Sequence, residues 1–188
     1  MIAALVALAL LAEPQPQPRD AREAPEVVVK ALQLRPGMVV VDIGAGDGFL
    51  EPHLAKAVAS GEQGLVLALD TRYEVVDAIR AQRIPHVEPL LVGPESPALP
   101  PRSVDRVVII DTWHHIGWRE RYAKRIREIL KPGGFVLIVD WTVASPRGPP
   151  PEVRDPVKIL RELKAGGLVV SLIPIGLSEQ FAVKGVRP

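Results

Sequence analysis

The stretch Val39-Val40-Val41-Asp42-Ile43-Gly44-Ala45-Gly46-Asp47-Gly48 decides how this chain folds. Its first half is a β-branched apolar run, which is typical of a strand buried on both faces of a parallel sheet. In its second half every other residue is glycine, which adopts positive φ without the steric cost that a Cβ imposes. A strand that ends in such a turn and continues into a helix predicts an open α/β sheet that binds its ligand at the carboxyl ends of the strands.

The rest of the chain continues the alternation of short apolar runs and helical patterns that this stretch begins. The runs predict strands at residues 38–43, 65–70, 86–92, 105–111, 135–141, 168–173 and 180–186 and helices at residues 24–34, 49–59, 74–82, 118–130 and 156–165. The last two strands are close enough in the chain to pair as an antiparallel hairpin. The sequence therefore predicts a three-layer, doubly wound α/β fold, with a mostly parallel seven-stranded sheet and an antiparallel C-terminal edge hairpin.

The amino terminus differs in composition from this domain, which we assign to residues 24–188. Residues 1–12 are an unbroken apolar run, shorter than the about 20 residues that span a bilayer but of the length of a signal-peptide hydrophobic region. Residues 13–23 read as a proline-rich linker. We expect an exported, periplasmic or membrane-associated protein. A hydrophobic helix docked on its own domain, in a cytoplasmic protein, is the alternative.

Composition excludes several classes of site and partner. A chain of 188 residues with 47% hydrophobic residues suits one well-buried domain. Its net charge of +1 argues against a nucleic-acid substrate, since phosphate neutralisation supplies most of the affinity of such binders. The absence of cysteine excludes disulfides, thiolate zinc sites and cysteine nucleophiles. No metal site is expected, because the adjacent pair His114-His115 points in two directions.

Two classes of cofactor use a glycine turn of this kind. Dinucleotide-binding sheets carry G-x-G-x-x-G around a pyrophosphate, whereas Gly44, Gly46 and Gly48 follow G-x-G-x-G. Asp42 lies two residues before the first glycine, where its charge repels a pyrophosphate but attracts the ammonium group of S-adenosylmethionine. Asp70 ends the second predicted strand, where a carboxylate accepts hydrogen bonds from ribose hydroxyls. The pattern favours a methyl donor over NAD.

Four motifs in order resemble those of the class I, Rossmann-like S-adenosylmethionine-dependent methyltransferases. Residues 39–48 resemble motif I of that family, and Asp70 matches the acid that ends its second strand. Residues 105–116 (DRVVIIDTWHHI) resemble its fourth-strand motif, and residues 130–140 resemble the turn and fifth strand that follow. The resemblance covers about residues 26–184. It implies a seven-stranded sheet whose last strand is inserted antiparallel.

The resemblance also implies a cofactor-binding set. Asp42 is expected near the ammonium group, Asp70 at the ribose and Thr71 beside the adenosine. Many relatives carry Gly-Asp-Ala after the third strand, where the acid contacts the adenine amine, and here Glu95 is expected to replace that acid. Asp47 either contacts the cofactor or only caps the following helix. The complete set is Asp42, Gly44, Ala45, Gly46, Asp47, Gly48, Asp70, Thr71, Glu95 and Asp111.

The predicted function is transfer of a methyl group from S-adenosylmethionine to a small-molecule or lipid-like acceptor. An amine or thiol acceptor needs no dedicated base, but a hydroxyl or carbon acid does, and Asp111, His114 and His115 are the candidate catalytic groups. Trp113 and Trp118 either line the acceptor pocket or pack beneath the helix that follows. Two alternatives stay open, a protein that binds S-adenosylmethionine without transferring its methyl group and an NAD-dependent oxidoreductase, which the glycine spacing disfavours. The sequence does not indicate an oligomeric state.

Overall fold

The computed structural model describes residues 24–60 and 63–188. The predicted signal or anchor segment at residues 1–12 and the predicted linker at residues 13–23 lie outside these ranges. Within them, no helix is both long enough and apolar enough to cross a bilayer.

Strands and helices alternate along the described residues, as the hydrophobic pattern predicts. The strands are β1 (Val39–Ile43), β2 (Leu65–Asp70), β3 (Val87–Leu91), β4 (Val104–Ile110), β5 (Leu130–Trp141), β6 (Val169–Ile173) and β7 (Gln180–Val186). The helices are α1 (Pro25–Leu32), α2 (Glu51–Val58), α3 (Tyr73–Gln82), α4 (Arg119–Ile129) and α5 (Pro156–Ala165), with short 3₁₀ turns at Trp113–His115 and Pro151–Val153. Every predicted element is found, with shifts of at most two residues at its ends except at the start of β5.

The sheet has the order β3-β2-β1-β4-β5-β7-β6. Strands β1 to β5 pair in parallel, while β7 lies antiparallel between β5 and β6. The predicted α/β class and antiparallel C-terminal hairpin are therefore confirmed. Because the strand order reverses between β1 and β4, the chain leaves these two strands in opposite directions, and a crevice opens at their carboxyl ends.

The start of β5 differs from the predicted turn at Lys131-Pro132-Gly133-Gly134. Strand β5 begins at Leu130, which pairs with Val104, and the next pair is Arg106 with Phe135, so the four turn residues form an irregularity inside the element. Two contacts hold them against the sheet. Lys131 Nζ lies 2.7 Å from Asp105 Oδ2, and Gly133 donates its N–H to the Arg187 carbonyl at 3.0 Å.

Apolar side chains cover both faces of the sheet. On one face α4 and α5 contribute Ile126 and Leu163, and on the other α1 and α2 contribute Leu32 and Leu54, all of them fully buried. Asp155 begins α5 as its N-cap and accepts a hydrogen bond from the Val157 N–H at 2.8 Å, as its position before Pro156 predicts. Because the two faces are packed with apolar side chains, the polar groups of interest collect at the carboxyl edge.

Candidate functional site

The glycine turn after β1 is held against the end of β2. Gly44 and Ala45 donate their N–H groups to the Leu69 carbonyl at 2.8 and 3.1 Å. Gly44 has φ +83°, and a Cβ placed on it would lie 2.4 Å from Oγ1 of Thr112, the second residue after β4. Glycine is therefore required here for two reasons, the left-handed backbone and the close approach of the turn that follows β4.

We expect Gly44→Ala to lower the free energy of unfolding by about 2–4 kcal/mol, the combined cost of left-handed strain and overpacking against Thr112. Urea denaturation followed by circular dichroism measures this loss. The matched control is Gly117→Ala, because Gly117 has no neighbour within 4 Å and no positive φ. Equal stability of the two variants would show that the close approach of Thr112 does not affect the free energy of unfolding.

A cavity of about 520 Å³ opens at the carboxyl edge beside this turn. Its lining residues are Ile43, Gly44, Gly46, Leu69, Asp70, Thr71, Arg72, Val92, Gly93, Pro94, Ile110, Asp111, Thr112, His115, Ile116 and Tyr122. Half of the predicted cofactor-binding residues therefore line it: Gly44, Gly46, Asp70, Thr71 and Asp111. The other half do not: Asp42, Ala45, Asp47, Gly48 and Glu95. Of the candidate bases, Asp111 and His115 line the cavity and His114 does not.

Asp70 lies where the sequence predicts the ribose acid, and its carboxylate is fully engaged by the protein. Oδ1 accepts from the Arg72 N–H at 3.0 Å and from Arg72 Nε at 3.1 Å, while Oδ2 accepts from the Gly46 N–H at 3.3 Å and from Arg72 Nη2 at 3.2 Å. Burial acts to raise the pKa of Asp70, but these hydrogen bonds outweigh it and lower the pKa below its usual value. A carboxylate has about four acceptor sites, so a ligand can hydrogen-bond to Asp70 only if it displaces the Arg72 side chain, which is 58% exposed.

Two acids lie buried beneath the glycine turn. Asp42 is 4% exposed and Glu51, the first residue of α2, is fully buried. Both carboxyl oxygens of Glu51 are buried without a hydrogen-bond partner. Burial first, and then the neighbouring Glu51 carboxyl, raises the pKa of Asp42 well above its usual value, and burial raises the pKa of Glu51 to about 7. Buried carboxyls without a cation are costly, and they give this corner of the site an affinity for positive charge.

Asp47 and Glu95 lie on the surface, away from the cavity lining. Helix α2 begins at Glu51 with Leu50 as its N-cap residue, so the interpretation of Asp47 as a helix cap is wrong. Instead, the Asp47 carbonyl accepts a hydrogen bond from Gln82 Nε2 at 3.0 Å. The predicted contacts of Asp47 and Glu95 with the cofactor stay predictions.

The far wall of the cavity belongs to the turn that follows β4. Asp111 has φ +49°, which is unusual for a residue with a side chain, and its Oδ1 accepts from Gln180 Nε2 of β7 at 2.8 Å. Backbone strain of this kind persists where the surrounding structure enforces it, often at functional sites. The hydrogen bond therefore fixes the carboxylate at the cavity wall.

The two adjacent histidines occupy different positions. His114 Nδ1 lies 3.0 and 3.1 Å from the two oxygens of Asp140, a buried residue near the end of β5. The His115 ring lies 4.2 Å from the His114 ring and lines the cavity. Burial first, and then the charge of His114, lowers the pKa of His115. His115 is therefore neutral at pH 7 and can accept a proton from a group in the cavity, while His114 is anchored to Asp140.

The tryptophans near the histidines do not line the cavity. Trp113 is fully buried, donates Nε1–H to Glu162 Oε2 at 2.8 Å, and meets Tyr122 edge to face at 6.4 Å. Trp118 is 81% exposed. The interpretation of Trp113 as packing beneath the following helix is correct, and because it is fully buried it is not a pocket wall. A contact of Trp118 with the acceptor stays a prediction.

The cavity and its surroundings fit S-adenosylmethionine. The carboxylate of Asp70 suits ribose hydroxyls, the open backbone at Gly46 leaves room for close approach, and the orphaned oxygens of Glu51 beside Asp42 suit a cation. The same acids would repel the pyrophosphate of NAD. The residues present therefore match a cationic nucleoside better than an anionic dinucleotide.

Among the residues in and around the site to which sequence reasoning gave no role are four charged or amide side chains: Glu51, Arg72, Asp140 and Gln180. For one of them, the sequence itself indicated burial. Glu51 shares the buried face of α2 with Leu54 and Val58 at helical spacing, so an acid at that position is expected to be buried. Asp140 and Gln180 become relevant only through contacts with residues distant in the chain. Arg72 becomes relevant only because its side chain folds back onto Asp70.

The chain is similar in sequence and in fold to several known proteins. A family model described as a methyltransferase domain matches residues 40–134. The crystal structure of a SAM-dependent methyltransferase from Aquifex aeolicus is 29% identical, with a TM-score of 0.78 over 87% of this chain and 89% of that one. A ubiquinone/menaquinone biosynthesis C-methyltransferase, UbiE, from Bordetella avium is 34% identical over 62% of this chain and 46% of its own length. An uncharacterised protein of a Streptomyces fradiae transposon is 29% identical over 89% of this chain and 50% of its own length. The chain thus spans about half the length of the curated relatives it matches.

Proposed function

Because the chain belongs to the S-adenosylmethionine-dependent methyltransferase family, we propose that it transfers the cofactor's methyl group to a small-molecule or lipid-like acceptor held in the carboxyl-edge crevice. The main support for the proposal is that two groups of residues line the same cavity from opposite sides. The glycine turn and Asp70 form one side, and Asp111 and His115 form the other. A cofactor on the first side presents its reactive centre to a group held by the second.

The chemistry needed from the protein is mainly alignment. Bound S-adenosylmethionine supplies a methyl group already activated by its sulfonium, so proximity and orientation contribute much of the rate. We assign Asp70 and the glycine turn to holding the cofactor. His115, neutral at pH 7, takes the acceptor's proton when the acceptor is a hydroxyl or carbon acid. Asp140 orients His114, which in turn packs against His115.

The surroundings of the crevice support an apolar acceptor. Four of the exposed large apolar side chains lie at the end of β3 or in the segments that follow β2, β4 and β5 in the chain: Tyr73, Leu91, Trp118 and Val143, each 54–81% exposed. Apolar side chains grouped near a site favour apolar ligands or surfaces, and exposed tryptophan and tyrosine suit a lipid–water interface. The name of the UbiE relative, a C-methyltransferase of quinone biosynthesis, points the same way. We further propose that residues 1–12 bring the domain close to a membrane.

An acceptor panel tests this function. The full chain is incubated with S-adenosylmethionine and a demethylated isoprenoid quinol in vesicles, a water-soluble phenol, or a primary amine, and S-adenosylhomocysteine is quantified by mass spectrometry. We expect product with the quinol above the level of the acceptor-free control. If S-adenosylhomocysteine binds the protein but no acceptor is methylated, the alternative of a binding protein without transferase activity is favoured.

A further inference from the structure

Glu51, which lies buried with Asp42 beneath the glycine turn, has no role in the prediction made from the motifs. Asp42 on β1 lies two residues before Gly44, and Glu51 opens the helix that follows the turn. Both side chains are at least nine-tenths buried, the two carboxyls lie within hydrogen-bonding reach of each other, and neither oxygen of Glu51 has a donor while both acids are ionised. A fully buried carboxyl without a cationic partner is rare in a well-packed domain, because each buried charge costs several kcal/mol unless it is paired.

Two carboxyls in one buried site do not ionise together. Each negative charge disfavours the other, so the pair retains a proton well above the usual range of a carboxylic acid. Burial raises the pKa of both groups, to about 7 for Glu51. The other charged groups that act on the pair are Asp47 of the turn and Asp70 of β2, and both also favour the protonated form. The charge of Asp70 is offset by Arg72.

We propose that Asp42 and Glu51 hold a shared proton in the ligand-free protein and release it to solvent when the ammonium group of S-adenosylmethionine binds at the glycine turn. The ammonium adds one positive charge to the site, which compensates the second carboxylate, so the charges balance as the proton leaves. This inference rests on the family's cofactor and on the expected position of its ammonium near Asp42. It gives Glu51, which is fully buried and does not line the cavity, an electrostatic role toward the amino-acid end of the cofactor.

Linkage between the proton and the cofactor gives affinity a defined pH dependence. When binding releases one proton, the association constant rises about tenfold per pH unit below the titration of the pair, and it levels off above that. S-adenosylhomocysteine carries the same ammonium group and shows the same dependence. Adenosine has no ammonium group, so its affinity does not follow this pattern.

Calorimetric titration of the full chain with S-adenosylhomocysteine measures the released proton directly. Titrations at pH 6, 7 and 8 in phosphate and in imidazole separate the heat of buffer protonation from the heat of binding. We expect the wild type to release close to one proton at pH 6, about half a proton at pH 7 and little at pH 8, because the retained proton titrates with a pKa of about 7. Glu51→Gln should release close to none, with an affinity that changes little between pH 6 and 8. Adenosine affinity should be the same in both proteins. Glu152→Gln, at an exposed site, is the matched control and should behave as the wild type.

Stability of the ligand-free protein tests the shared proton independently of any cofactor. The folded state binds more protons than the unfolded state between the ordinary pKa of glutamate, 4.5, and the raised value of about 7. The free energy of unfolding should therefore fall as pH rises through this window, and Glu51→Gln should flatten the fall. If S-adenosylhomocysteine does not bind but the stability profile is as expected, the result counts against the cofactor. If S-adenosylhomocysteine binds without proton release, or if Glu51→Gln releases as many protons as the wild type, the inference is overturned.

Discussion

Asp70→Ala is expected to weaken binding of S-adenosylhomocysteine about 10²- to 10⁴-fold. The reason is that two ribose hydroxyls lose a charged acceptor, and a hydrogen bond to a charged group contributes about 1.5–3 kcal/mol. We expect a large loss of affinity at this residue because Asp70 is 6% exposed, lines the cavity and accepts a hydrogen bond from the Gly46 N–H of the glycine turn. Calorimetric titration of wild type and variant gives the ratio of dissociation constants.

Arg72→Ala is the matched control for Asp70→Ala. It removes the guanidinium that occupies the carboxylate in the ligand-free protein while leaving the acid in place. Because the Arg72 side chain is 58% exposed and ion pairs open to solvent contribute about 1 kcal/mol or less, this variant should bind S-adenosylhomocysteine as well as the wild type or up to about 5-fold more tightly. Wild-type affinity in Asp70→Ala would remove Asp70 from the cofactor site.

His115→Asn is expected to lower kcat about 10²- to 10⁴-fold with a hydroxyl or carbon acceptor, the usual contribution of a general base. Binding of S-adenosylhomocysteine should change little, since the assigned role concerns the acceptor. In the wild type, the lowered pKa of His115 keeps the base neutral at pH 7. Activity should therefore fall only on acidification, with a midpoint below 6.5, the usual pKa of histidine. Initial rates measured across pH at saturating cofactor check both statements.

His53→Asn supplies the control for this loss of rate. His53 lies on α2 and does not line the cavity, so its replacement should leave kcat and the pH profile unchanged. An unchanged kcat in His115→Asn would mean that the acceptor is already nucleophilic without a base, as an amine is. Equal losses in the two histidine variants would point to a general effect on folding.

The order of the elements followed from the sequence alone. Apolar periodicity is a local property, so the β-branched run before the glycine turn and the helical patterns between the strands predicted each element close to its observed ends. Local turn chemistry predicted Asp155 as the cap of α5 in the same way. Motif spacing predicted Asp70 at the end of β2, and the structure places it beside the turn. Local patterns succeeded because backbone geometry repeats over a few residues.

Contacts between distant residues could not be predicted in this way. The hydrogen bonds of Trp113 with Glu162 and of Gln180 with Asp111 join residues 49 and 69 positions apart in the chain. Their geometry depends on how helices pack on the sheet and on where β7 inserts, and no local pattern encodes either. For this reason the sequence left Trp113 undecided between pocket wall and core.

The sequence by itself determined the α/β sheet, the glycine turn and the family to which the chain belongs. Only the tertiary structure decided that His115, and not His114, lines the cavity, and that Glu51 lies fully buried beside Asp42. The physical reason is that residue identity and spacing fix the backbone, whereas protonation and access depend on burial and on neighbours supplied by other elements.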